Sequence, residues 1–89
     1  MKRINIDGKA LVSPKALHES LAAALSFPEY YGGNLDALYD VLTDICEPIC
    51  LAIESSADAK EQLDGYWWSF LEVFSDAQAK TGKLRLLLM

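Results

Sequence analysis

With 52% hydrophobic residues, a chain of 89 residues can fold around one core but has little room for an enclosed catalytic cavity, since a domain this short buries only about 60–65% of the surface its unfolded form exposes. The formal net charge of −5 argues against nucleic acid as a direct ligand, because an acidic surface repels a phosphate backbone, and favours a cationic protein partner. No apolar run approaches the length of a membrane span and no apolar core follows Lys2 and Arg3, so neither a transmembrane helix nor a signal peptide is expected, and the expected compartment is the cytoplasm.

From Lys2 to Asp7, Ile4 and Ile6 alternate with Arg3, Asn5 and Asp7, which predicts a strand ended by the turn pair Asp7-Gly8. Ser13-Pro14 is a helix start, with serine as cap and proline at the first helical position. Leu17, Leu21 and Leu25 form its apolar stripe, and Pro28 closes it. His18 follows the stripe leucine and is expected on the surface. Glu29 to Gly33 should be a loop, with the glycine pair serving a tight turn. Asn34 then caps a second helix with the stripe Leu35, Leu38 and Leu42, and Asp36 suits its first turn.

Pro48 to Ile53 predicts a buried strand. A short third helix opens at Ser56 or Asp58 and ends near Asp64-Gly65. A fourth runs from about Tyr66 to Lys80 with the stripe Trp67, Phe70, Leu71 and Phe74, and Gly82 is its left-handed terminator. Trp68 lies off that stripe and is expected to be half-buried, the alternative being a partly exposed interface residue. Lys83 to Leu88 is apolar enough to be a strand buried on both faces. Strands separated by helices should pair in parallel, and so few strands need helices to cover them. The expected fold class is α/β, a three-stranded parallel sheet packed with about four helices, with residues 1–89 as one domain.

Between Lys15 and Lys60 there is no Lys or Arg, while Glu19, Glu29, Asp36, Asp40, Asp44, Glu47, Glu54 and Asp58 fall in that gap. A fold has no need to clear one sign of charge from half its length; a surface that meets a basic partner does. Asp36 and Asp40 stand one helical turn apart and face the same way, at a cost of a few tenths of a kcal/mol. They read either as solvated carboxylates or as rigid anions offered to arginine, whose fork fits carboxylate and phosphate alike. Paired carboxylates could also act as general acid and base, but that needs a cleft that separates their pKa values, which so small a chain is not expected to build. Tyr30, Tyr31 and Tyr39 bracket the same place; one of them is expected to cover the core edge and the others to be contact residues. Cys46 and Cys50 read as reduced, buried structural thiols, the alternatives being a disulfide or a metal site for which the sole histidine is far away in sequence. No cofactor is expected.

The run Leu25-Ser26-Phe27-Pro28-Glu29-Tyr30-Tyr31-Gly32-Gly33-Asn34-Leu35-Asp36-Ala37-Leu38-Tyr39-Asp40 closely resembles the barstar family, intracellular inhibitors of the secreted ribonuclease barnase. The similarity extends along nearly the whole chain, through the Leu17-His18 region, Leu42-Thr43, Val73-Phe74 and the last strand. It implies a barstar-like fold and a non-enzymatic function: the second helix and the loop before it fill the cationic active site of a basic, extracellular-type ribonuclease. By that resemblance Asp40 is the central anchor at a phosphate position and Asp36 a second anion. Tyr30 stacks on the catalytic histidine, and Tyr31, Gly32, Asn34, Leu35, Tyr39 and Thr43 belong to the contact. Asp76 on the last helix matches a family glutamate. Gly33 stands where barstar has an acid, Tyr39 replaces a tryptophan and Ile45 another aromatic, so the rim differs while the anchor stays. The alternative is an acidic interaction module of the same fold with another cationic protein as partner.

Overall fold

The structure, a computed structural model, describes residues 1–89. Its elements follow in the order β1 (Lys2–Asp7), a 3-10 turn (Gly8–Ala10), α1 (Pro14–Leu25), α2 (Leu35–Thr43), β2 (Ile49–Glu54), α3 (Ser56–Leu63), α4 (Gly65–Thr81) and β3 (Leu84–Leu88). The sheet has the strand order β1-β2-β3, and both pairs are parallel. Ile4, Leu51 and Leu86 lie in one register row, and Arg3, Cys50 and Arg85 in the neighbouring one. Successive side chains on a strand point to opposite faces, so these rows belong to opposite sides of the sheet. The fold is the expected one: a three-stranded parallel sheet with four helices.

Local chemistry sets the helix ends. Ser13 Oγ accepts a hydrogen bond from the Ala16 N–H (3.1 Å), with Pro14 at the first helical position of α1. The helix stops at Ser26, whose left-handed backbone (φ 56°) breaks the ladder before Pro28 is reached. Gly82 terminates α4 at φ 68°, and its N–H bonds to the Gln78 carbonyl (2.8 Å). The core gathers Leu17 and Leu21 from α1, Leu38 and Leu42 from α2, and Leu51 and Ile53 from β2, all packed with the aromatic column Trp67, Phe70 and Phe74 of α4. Its rings follow one another at 5.8 and 6.1 Å between centroids. Helix α2 lies against α4, and this contact carries the acidic segment.

Four expectations for the strands, the thiols and α4 require correction. β3 is not buried on both faces: Leu84 is buried, Leu86 half-buried, and Leu87 and Leu88 are exposed. It is an edge strand, and edge strands lack the second neighbour that a central strand has; β2, with neighbours on both edges, is the one that reads as buried. The thiols are not buried either, Cys46 being exposed in the α2–β2 connection and Cys50 half-buried on the sheet face opposite Leu51; both are free. In α4 the buried stripe continues from Phe74 to Ala77, and Leu71 is only half-buried at its margin. Trp68 is more exposed than expected, with the Lys60 ammonium 5.0 Å from its ring centroid.

Two backbone positions are constrained. Gly8 is buried where β1 turns, and a Cβ there would lie 2.5 Å from the carbonyl oxygens of both Glu54 and Ser55. Backbone on both sides cannot yield, so Gly8→Ala should lower the unfolding free energy by roughly 1–3 kcal/mol or more, measured by urea denaturation. Asp64, between α3 and α4, has φ 52° and ψ −125°, a region that a side chain disfavours, and its carboxylate makes no capping bond to α4. Asp64→Gly should relieve that strain and stabilise the protein by about 1 kcal/mol in the same assay.

Candidate functional site

Two segments meet at the acidic face. The first is α2. Asn34 starts it, with Oδ1 accepting from the Ala37 N–H (2.8 Å), and Gly33 in the left-handed region (φ 68°) delivers the chain to that cap. Leu38 and Leu42 are fully buried. Each contributes roughly 1.5–3 kcal/mol, an order of magnitude more than the few tenths that repulsion between Asp36 and Asp40 costs. Packing therefore holds the helix and turns both carboxylates outward, where they are exposed. The helix dipole favours Asp36 in the first turn but not Asp40, and Asp44 at the C-cap faces the dipole's negative end.

The second segment is the 27–33 loop. Tyr30 projects from it with 87% of its surface exposed. Beside it, a cleft of about 250 Å³ is lined by Tyr30, Asp40 and Asp44, with Leu25, Phe27, Val41 and Ile45 among its apolar residues. Two carboxylates over an apolar lining suit a side chain with a hydrocarbon stem and a cationic head. Asp44 is a contributor that sequence reasoning passed over, although it continues the i, i+4 series of Asp36 and Asp40. A larger groove of about 660 Å³ lies on the other side of the loop, against α1, and includes Lys15, Glu19, Glu29 and Tyr31.

The remaining expected residues divide. Asn34 acts as the cap described above, and Gly32 is exposed beside it. Leu35 and Tyr39 are half-buried against the core. The Thr43 hydroxyl is shared between the carbonyls of Tyr39 (2.9 Å) and Asp40 (3.0 Å), so its proton is used inside α2. Asp76 is exposed on α4, the helix behind α2. Tyr31 and Tyr39 both take the core-edge role expected of only one tyrosine, leaving Tyr30 as the exposed one. The Tyr31 ring packs on Phe27 at 4.8 Å between centroids, and its hydroxyl meets His18.

His18 overturns its expected surface position, being only 3% exposed. Its Nδ1 is hydrogen-bonded to the Tyr31 hydroxyl (2.5 Å) and its Nε2 to the Tyr66 hydroxyl (2.6 Å). A neutral imidazole has one donor and one acceptor nitrogen, so one tyrosine donates to the ring and the other accepts from it. This satisfaction makes burial tolerable, and no buried side-chain nitrogen or oxygen in the protein lacks a partner. The signal was available: His18 lies three residues before Leu21 and seven before Leu25, on the apolar stripe itself. Tyr66 likewise lies four residues before Phe70.

Nowhere do three His, Cys, Asp or Glu side chains come together as metal ligands, and no helix is long and apolar enough to cross a membrane. The acidic face turns the carboxylates of Asp36, Asp40 and Asp44 and the ring of Tyr30 to solvent. Residues 1–88 match the family described as Barstar (barnase inhibitor), and the chain belongs to that family. It is also similar to a protein of Bacillus subtilis (strain 168) named "Putative ribonuclease inhibitor YrdF", with 39% identity over 79 residues that cover 88% of this chain and 87% of that one. Family membership makes the protein a ribonuclease inhibitor in type, not an enzyme.

Burial lowers the His18 pKa from 6.5. Below that value the unfolded chain binds a proton that the folded protein resists, so stability falls as pH drops through and below 6.5. Tyr31 is pushed up from 10.0 to about 12, first by burial and then by Tyr66. The folded protein keeps a proton that the unfolded chain releases between those values, so stability also falls as pH rises from 10.0. The urea midpoint should therefore be highest between about pH 7 and 9. His18→Gln should flatten the decline just below neutrality; an unchanged slope there would remove His18 as its source.

Proposed function

We propose that this protein inhibits a basic, extracellular-type ribonuclease of the barnase kind by covering its active site with α2 and the 27–33 loop. The observation that carries this reading is the exposed Asp40 at the rim of an apolar-lined cleft beside the exposed Tyr30, inside a stretch of chain with no Lys or Arg. Asp40 accepts hydrogen bonds from a guanidinium or imidazolium where a substrate phosphate would bind, and Asp36 adds a second anion on the same face. Asp44 completes the acidic side of the cleft, while Leu25, Phe27, Val41 and Ile45 receive the aliphatic stem of the bound cation. Tyr30 offers its ring to the enzyme's catalytic residues. Gly32, Asn34, Leu35, Tyr39 and Thr43 form the surround, and Asp76 on α4 reaches a basic residue at the edge.

Inhibition of this kind needs no chemistry from the inhibitor. RNA is excluded sterically, and the enzyme's phosphate-binding cations are neutralised by carboxylates held on a rigid helix. Opposite charges also accelerate encounter, an effect that salt screens. We read residues 1–89 as one such inhibitor domain acting in the cytoplasm.

The test is RNA cleavage by barnase, titrated with the intact protein and with Asp40→Ala. The intact protein should inhibit at one-to-one stoichiometry, more weakly as salt rises. Asp40→Ala should lose several kcal/mol of binding, a range whose reference cases include the barnase–barstar pair itself, and should unfold at nearly the wild-type urea concentration. A variant that inhibits as well as wild type would remove Asp40 from the interface. A folded wild-type protein that leaves cleavage untouched would direct attention to another cationic partner for the same face.

A further inference from the structure

The two halves of the acidic face are joined covalently by a poor transmitter of geometry. Between Tyr31 and the cap Asn34 stand Gly32 and Gly33, both exposed, and a Cβ at Gly33 would meet nothing within 4 Å. Gly33, in open space and at φ 68°, leaves the junction without a side chain to fix the placement of what precedes and follows it. Yet the loop that projects Tyr30 and the helix that projects Asp40 line one cleft. Something other than the chain itself holds them in register.

The imidazole of His18 is placed to do so. Through Nδ1 it holds the Tyr31 hydroxyl, one residue from Tyr30; through Nε2 it holds the Tyr66 hydroxyl on α4. Helix α4 is also the element on which α2 packs. The loop and α2 are thereby referenced to the same helix, the loop by a chain of three polar side chains and α2 by its apolar stripe. Hydrogen bonds that share one ring polarise each other, so losing the outer one weakens the inner. We infer that His18 and Tyr66 are positioning residues of the binding surface, which fix the Tyr30 loop against α2 before any partner arrives. The inference rests on the proposed role of that loop, and its advantage is that ordering the loop is not charged against binding.

Tyr66→Phe tests it, because it removes one hydroxyl outside the loop and keeps the ring. Amide hydrogen exchange in the free protein supplies a readout that needs no partner. The Tyr31 N–H, bonded to the Pro28 carbonyl at 3.0 Å, reports the loop, and the Leu51 N–H in the central strand reports global opening. In Tyr66→Phe the Tyr31 amide should exchange roughly five- to tenfold faster after correction for any change at Leu51, the size of one lost hydrogen bond. Ala59→Gly, a buried change in α3, which carries none of the three bridge residues, should alter the Tyr31 amide only as far as it alters Leu51. Against barnase, Tyr66→Phe should raise Kd by a similar factor, and the loss should disappear in a Tyr30→Ala background. Tyr31 exchange that tracks Leu51 in both variants would overturn the inference, because that is how a merely structural contact behaves. If the wild-type protein fails to inhibit barnase, the proposed target fails, while the exchange comparison still decides whether the bridge orders the loop.

Discussion

Everything in this molecule depends on β2. It is the only strand with hydrogen-bonded neighbours on both edges, and β1 and β3 both run parallel to it. Parallel neighbours cannot be joined by tight turns, so each connection must cross over, and here each crossover consists of two helices. One helix from each, α2 and α4, packs against the other and so closes the core. The buried leucines of α2 and the aromatic column of α4 are thus consequences of how two short strands attach to a third.

That arrangement lets the acidic face exist at a modest stability cost. Asp36 and Asp40 repel each other, and Asp44 adds a further charge at the unfavourable end of the helix dipole. A nine-residue helix with such charges would be marginal alone, because isolated helices of that length do not overcome nucleation. Leu38 and Leu42 reverse the balance by their burial in a core supplied by the rest of the chain. Electrostatic strain on α2 is thereby carried by packing.

Most of this architecture was legible in the sequence because its signals were local. Ser13-Pro14, Asn34 and Gly82 mark helix ends through their own hydrogen-bonding or backbone preferences, and each is found in that role. The misreadings in the sheet and its connections concern properties set by distant neighbours. Leu87 and Leu88 have the composition of a buried strand, but whether a strand is central or at an edge depends on the order of pairing. Cys46 and Cys50 have the usual preference of thiols for the interior, yet the exposure of the first and half-burial of the second follow from a connection and a sheet face that composition does not reveal. The surface expectation for His18 rests on its place next to Leu17, whereas its spacing to Leu21 and Leu25 and the hydroxyls of Tyr31 and Tyr66 decide its burial. For the candidate site, family resemblance and the charge gap point to the residues proposed, whereas the cleft and the place of Asp44 in it needed the meeting of loop and helix in three dimensions.

The adjacent Trp67 and Trp68 have opposite surroundings, 2% and 58% exposed. Helical geometry is responsible, since consecutive residues point about 100° apart and here straddle the boundary of the apolar stripe. The protein therefore carries two intrinsic fluorophores of one kind, one reporting the core and one accessible to aqueous quenchers beside the Lys60 ammonium. Emission resolved by quencher access can follow the packing of α4 and the state of its surface in a single unlabelled sample. Disagreement between the two signals during unfolding would expose partial opening that a single averaged spectrum conceals.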